Sequence, residues 1–480
     1  MRDGLREWIL AVNETVWGAP MLLLMLAAGL VLTLRSGGVQ LRRLGLSIRT
    51  VLGDLFRKRR AGAGEVTPLQ SVTSALAATV GTGNITGVTV ALAAGGPGAL
   101  FWMWAAALLG MATKYAEVAL AVRWRRRNRR GDRVGGPMYY MAAAGTPGMK
   151  ALAVVFACFG ALAAFGVGNA VQAGCITQAV NGALAAFLPG FTPTAAVGRL
   201  VGLAAAAAAG LTLLGGVKRL GRVTEKLIPF LAAAYILACL AVLLRRAWAV
   251  PAALGRIFHG AFSPAAVTGG GVGTLMAALS AGVRSGVFSN EAGMGSAPIA
   301  YAASAEPEPV RQGLYGVFEV FLDTIVLCTL TGLTLLVSGV PIPYGQTATA
   351  AVNAAALATV FGERLGALLI AAGTALFALA TILSWSLYGQ RCWEFLLGEG
   401  AGRVYQGLYV AVCFFGASLE PGLSWTLAET LNGLMAVPNL AALLALSGQV
   451  REMTRAYFQK SRWKAAAGSD IIAENRNRGG

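Results

Sequence analysis

The chain reads as an all-α polytopic membrane protein. It carries about eleven transmembrane helices, ten of them in two five-helix blocks of inverted orientation that follow one extra N-terminal span. Three observations predict this. Of its 480 residues, 56% are hydrophobic and only 12% charged, whereas soluble domains carry about 25% charged residues. Apolar stretches of membrane length recur with approximate limits 15–35, 67–96, 99–122, 150–186, 196–214, 224–245, 268–297, 312–338, 365–396, 400–418 and 423–446. Two glycine-rich interruptions also occupy matching places, each at the opening of one block.

The blocks are 67–245 and 268–446. Residues 1–66 form the extra span and a basic loop, 246–267 an external connection with His259, and 447–480 a polar tail whose end reads as disordered. An odd number of spans per block forces the second block to insert upside down relative to the first.

Charge orients the bundle. The net charge of +18 lies in clusters between spans: Arg42, Arg43 and Arg57 to Arg60; Arg123 to Arg133; Lys218 to Lys226; and Arg451 to Lys464. With eleven spans these clusters share one side, which the positive-inside rule makes cytoplasmic. The N-terminus is then outside and the C-terminus inside a cell (inner) membrane. No soluble face collects the charge, so the pattern excludes nucleic acid as a partner.

Six scattered cysteines without CxxC spacing read as packing residues, and a single histidine leaves no metal centre of the His/Cys type. Met1 to Asn13 shows both charge signs and no small-residue cleavage pattern, unlike a signal peptide. No GxxxxGK[ST], GxSxG or HExxH string occurs, so neither nucleotide hydrolysis nor these enzyme classes has support.

The first interruption is Gly81-Thr82-Gly83-Asn84-Ile85-Thr86-Gly87. Backbone unwinds at membrane depth only where protein or a cavity satisfies it, and such breaks point to transporter binding sites. Carbonyls of Ala77 to Val80 can coordinate a hard cation, and the amides of the next half-helix can hold a carboxylate. Thr82, Asn84 and Thr86 add neutral oxygens. Close helix packing is the alternative use of the glycines. No Asp or Glu lies between Gln70 and Ala94, so a cation here would draw on the substrate's own carboxylate.

The string Leu76-Ala77-Ala78-Thr79-Val80-Gly81-Thr82-Gly83-Asn84-Ile85 resembles the alanine or glycine:cation symporter family. So do Gly95-Gly96-Pro97-Gly98-Ala99, Phe101-Trp102-Met103-Trp104, Gly110-Met111-Ala112-Thr113-Lys114 and Phe288-Ser289-Asn290-Glu291-Ala292-Gly293-Met294-Gly295-Ser296-Ala297-Pro298. The resemblance covers about residues 15–450. It implies a leucine-transporter-like fold, a small neutral amino acid as substrate, and sodium or a proton as driving ion.

The second interruption runs from Gly282 through Ser285, Gly286, Ser289, Asn290, Glu291, Gly293 and Gly295 to Pro298, after Gly269-Gly270-Gly271 and Gly273. Its free carbonyls could accept from a substrate ammonium, which puts Gly286, Ser289 and Asn290 beside Thr82 and Gly83 as substrate-binding candidates. Glu291 and Arg284 are either functional or paired with each other. The resemblance places a substrate-contacting glutamine at Gln172 and a pocket wall at Trp385; interhelical glue and an interfacial belt are the rival roles. It also implies that a hydroxyl of Thr381 or Ser384 completes a sodium site with Ala77, Val80 and Asn84. Phe165 reads as packing. Glu319 and Asp323, spaced i, i+4, suggest a polar network with Arg284 or a proton site. Lys114 and Glu117 suggest an ion pair.

The expected function is sodium-coupled symport of alanine or glycine by alternating access, with no enzymatic role and no cofactor beyond the transported sodium. Proton coupling through Asp323 or Glu291 is the nearest alternative, and a channel the next. The preferred amino acid, the stoichiometry and the oligomeric state are not legible.

Overall fold

A computed structural model describes residues 2–57, 61–262, 275–346, 349–419 and 421–460. The glycines at 269–273, the start of the second block and the end of the tail lie outside the described residues. In chain order the helices are α1 Arg2–Val16, α2 Ala19–Arg35, α3 Leu44–Leu55, α4 Pro68–Thr79, α5 Val88–Gly95, α6 Gly98–Arg123, α7 Pro147–Phe165, α8 Val171–Phe187, α9 Ala195–Leu213 and α10 Gly216–Arg245. They continue as α11 Val250–Phe262, α12 Leu275–Asn290, α13 Ala297–Ala302, α14 Pro309–Val320, α15 Thr329–Ser338, α16 Ala350–Phe361, α17 Glu363–Leu397, α18 Gly402–Gly416 and α19 Pro421–Ala445. Short π-helical segments, Gly83–Gly87, Gly166–Ala170 and Phe321–Cys328, sit inside the first-block and second-block spans.

Each expected span carries a helix. Among the described residues eight helical runs, some joined through a π segment or a short turn, are long and apolar enough to cross a membrane, and the bent pair α4–α5 makes a ninth. In the other two stretches the described residues hold α12, 16 of them before the second break stops it, and α18 of 15 residues. At 1.5 Å per residue these cover about 24 Å or less.

The bundle centres on α6, which packs against both α12 and α14, with α5 against α12. Around this core α8 packs on α17, α9 on α18, α10 on α17 and α19 on α7. The extra span α2 lies against α6, while α1 lies on α19.

One end of the bundle gathers the basic segments. Arg127 and Arg133 reach Glu65 at 2.5 and 2.8 Å, and Arg125 donates to the carbonyls of Ser304 and Glu306 at 2.8 and 2.7 Å. A short hairpin, Arg126–Arg127 with Arg133–Val134, shapes this end. At the opposite end the expected connection is not a polar loop. It forms α11, whose buried face of Ala253, Ile257, Gly260 and Ala261 packs against α6, leaving His259 exposed.

The α6–α11 crossing is close because Gly98 meets Gly260, and a Cβ on Gly98 would overlap that backbone carbonyl. Gly98→Ala is expected to destabilise the protein by about 1–3 kcal/mol through overpacking. Gly148→Ala, where a Cβ meets nothing, is expected to be neutral. Thermal unfolding of the purified protein checks both.

Candidate functional site where two broken helices meet

The first break is shorter than its seven-residue signature. A capping box between Thr67 and Gln70 opens α4, and the helix ends at Thr79. Val80 turns extended at ψ 97°, and the axis bends by 50° between the flanking helices. Thr82 is already helical at φ −61° and ψ −24° and π bonding runs from Gly83, so 82–87 is not unwound and the true break is Val80–Gly81. The Asn84 side chain explains the early recovery. Its Oδ1 accepts from the Gly81 amide at 2.8 Å, satisfying a donor that the break would otherwise orphan.

The second break lies later than the sequence suggested. Residues 285–290 are α-helical in α12, and the chain unwinds over 291–296 before α13. Glu291 takes φ 53°, a left-handed conformation rare without glycine, and Gly293 and Gly295 supply two more at 91° and 81°. Gly286 is therefore helical, and it faces the Met103 backbone of α6 rather than the first break.

The two broken helices nevertheless touch beside their breaks. A Cβ on Gly83 would lie 3.1 Å from Ser289 Cα. The Asn84 amide donates to Ser289 Oγ at 3.1 Å and to Asp323 Oδ1 at 2.7 Å. Ser289 and Thr324 donate to Asp323 Oδ2 at 2.9 and 2.8 Å, and Asn290 donates to Thr324 at 3.0 Å. All of these residues are buried.

Beside Ala77–Val80 stands α17. Thr381 Oγ1 donates to the Ala77 carbonyl at 3.1 Å and would lie 3.0 Å from a Cβ on Gly81. One turn on, Ser384 Oγ is fully buried and has no hydrogen-bond partner among the described residues. These neutral oxygens suit a sodium ion as cargo. Asn84, expected among the ligands, turns its only side-chain oxygen to the Gly81 amide instead.

Trp385 is fully buried against Gly168, at which any Cβ would overlap the indole. Its Nε1 donates to Glu291 Oε1 at 3.0 Å. Gln172 accepts from Thr82 at 3.4 Å and donates to the Val167 carbonyl at 3.0 Å. Thr82, Gly83, Gln172, Ser289, Asn290 and Trp385 thus border the place where the two broken helices meet. Phe165 stacks on Tyr405 and Tyr409, as a packing residue does.

The charged residues pair differently from expectation. Lys114 binds Glu319 at 3.4 Å, not Glu117, and donates to the Glu291 carbonyl at 3.2 Å. Arg284 does not join Glu291, Glu319 or Asp323: it pairs with Glu429, bonds Asn13 at 2.8 Å and lies over Trp17. Glu319 and Asp323 diverge because the π segment begins between them, which breaks the i, i+4 geometry. The sequence reading missed Ser296, bonded to Glu291, and Asn439, bonded to Glu117 at 2.6 Å. An asparagine deep in the apolar stretch 423–446 was the one signal that could have found it.

A family model described as the sodium:alanine symporter family matches residues 2–470. The chain belongs to that family. The sodium/alanine symporter AgcS of Methanococcus maripaludis is 42% identical over 93% of this chain and 96% of its own. An uncharacterized transporter of Haemophilus influenzae is 44% identical over 94% of this chain and 95% of its own. Among solved structures, MhsT in complex with L-phenylalanine aligns at TM-score 0.54 and 15% identity, covering 83% of this chain and 99% of that one. This likeness shows the fold, which is leucine-transporter-like, as the resemblance implied.

In this member of the sodium:alanine symporter family the position of Trp385 depends on Gly168. Gly168→Ala is expected to displace the indole and raise the half-saturating substrate concentration roughly tenfold, about 1.4 kcal/mol. Uptake kinetics at saturating sodium, with folding checked by thermal unfolding, measure it.

Proposed function

We propose that this protein imports a small neutral amino acid, alanine or glycine, together with sodium. The observation that carries this reading is the contact of Gly83 with Ser289 at the meeting of two broken helices, within reach of a hydroxyl pair on α17. A zwitterion needs donors for its carboxylate and acceptors for its ammonium. The helix starting after the first break offers a positive dipole end, and the end of α12 offers unpaired carbonyls. Ala77, Val80, Thr381 and Ser384 would hold the sodium beside it. The fully buried Trp385, anchored by Glu291, would exclude long side chains and favour alanine or glycine.

Residues 67–245 and 268–446 would be two five-helix repeats of opposite orientation. The reciprocal packing supports this: α10, last of the first block, lies on α17 of the second, and α19, last of the second, lies on α7 of the first. The end rich in arginine would face the cytoplasm of a cell membrane. Alternating access would rock the core around α6 about the fixed site. One sodium supplies about 2.3 kcal/mol per 100 mV of membrane potential.

Uptake of labelled alanine and glycine into vesicles holding the purified protein tests the reading, and it should accumulate only under an inward sodium gradient. Sodium-independent or non-concentrative uptake would sink it. Thr381→Val keeps the shape but deletes a ligand. It should raise the half-saturating sodium concentration roughly tenfold, near the worth of one charge-assisted hydrogen bond. Ethylamine, alanine without its carboxylate, should compete weakly and without sodium dependence, because the cation site has no protein carboxylate of its own on α4 or α5.

A further inference from the structure

Glu117 is a buried carboxylate that neither the substrate site nor the sodium site uses. It lies on α6, six residues before Arg123, so about 9 Å along the helix from the basic end. Two close donors converge on one oxygen: Oε1 accepts from the Gly295 amide at 3.0 Å and from Asn439 Nδ2 at 2.6 Å. Oε2 is buried and has no hydrogen-bond partner among the described residues.

The cation that faces it among the described residues is shared. Lys114, one turn away, is committed to Glu319 and to the Glu291 carbonyl. Glu291 faces Trp385 and Ser296, Glu319 also accepts from Tyr301 at 2.8 Å, and Tyr140 donates to Asn439. α19 contributes only the neutral Asn439 to this contact. Among the described residues the single ammonium of Lys114 thus faces three carboxyl groups, Glu117, Glu291 and Glu319. An uncompensated carboxylate buried this way is far less favourable than the neutral acid.

We propose that Glu117 is a proton-binding site that gates the basic end of the transporter. In this conformation the acid is neutral, with its proton on Oε2, while Oε1 keeps both donors as a carbonyl oxygen should. The same Asn439 amide also holds the Gly293 carbonyl at 2.8 Å, so the acid, α19 and the unwound 291–296 segment form one closed contact. When the segment 291–302 swings away to open the basic end, the Gly295 amide leaves and water enters. The O–H bond then breaks, the proton passes to that water, and the carboxylate is solvated. Closing reverses each step from the same side, so no net proton crosses the membrane. The proton regulates and sodium drives. This deepens the symporter reading and rests on it.

Infrared spectra of the purified full-length protein at neutral pH report neutral carboxylic acids through their carbonyl stretch. Glu117→Gln is expected to lose one such band. Sodium-driven alanine uptake should persist in this variant but lose its dependence on the pH at the basic face, set in vesicles of known orientation. Unchanged acid bands in Glu117→Gln, or wild-type uptake indifferent to that pH, would overturn the proposal. Should Glu117→Gln fail to fold, Asn439→Leu serves: it keeps the acid but strips a donor from Oε1, so the acid band must shift, and an unshifted band counts against the site. Absent sodium-driven uptake by the wild type would refute the symporter reading instead, and the infrared arm would still decide the proton.

Discussion

A peptide group without a partner at membrane depth costs several kcal/mol, and the Asn84 side chain shows how this chain meets that demand. Its oxygen takes the amide freed at Gly81, and its nitrogen reaches Ser289 on α12 and Asp323 on the facing π segment. One neutral side chain therefore closes the first break and ties both blocks together at the same point. An aspartate there could not donate to Asp323, and an alanine would orphan Gly81. The site is built around that amide.

π-helical segments flank the same region. Gly83–Gly87 contains Asn84, Gly166–Ala170 faces Trp385 through Gly168 and precedes Gln172, and Phe321–Cys328 contains Asp323. Each inserts a residue into its helix and rotates the turns C-terminal to it, a device often seen at functional sites. The rotation separates Glu319 from Asp323. Glu319 goes to Lys114 and Tyr301, whereas Asp323 goes to Asn84 and Ser289. Two carboxylates on one apparent helix face thus serve different partners.

The fold was legible because lipid imposes length and apolarity on every span, and glycines mark where a span stops. Both breaks could be located that way, but their edges could not. The first proved shorter, since Asn84 and π bonding restore the helix from Thr82. The second began at Glu291, since α12 tolerates Gly282 and Gly286 for packing on Ala99 and Met103 of α6. Thr381 and Trp385 were legible as hydroxyl and ring one turn apart. The Lys114–Glu319 pair and the Glu117–Asn439 contact were not, because they join residues far apart in the chain and spacing carries no trace of such pairs. Phe321–Cys328 contains no glycine at all, so its π geometry left no mark in the sequence.

The distribution of charge around the breaks also separates their tasks. Asp323 takes three donors, Asn84 on Oδ1 and Ser289 and Thr324 on Oδ2, so it ties the two broken helices together. On the other side of the first break Thr381 and Ser384 present only neutral oxygens toward Ala77 and Gly81. A cation there gains little from formal protein charge at short range, and its attraction grows when an anionic group arrives nearby, because Coulomb energies are large where water is excluded. On the proposed reading the substrate carboxylate would be that group. Weak binding of each alone and strong binding of both together is the thermodynamic form of coupling, and on the proposed reading it would follow from α4 and α5 carrying no carboxylate of their own.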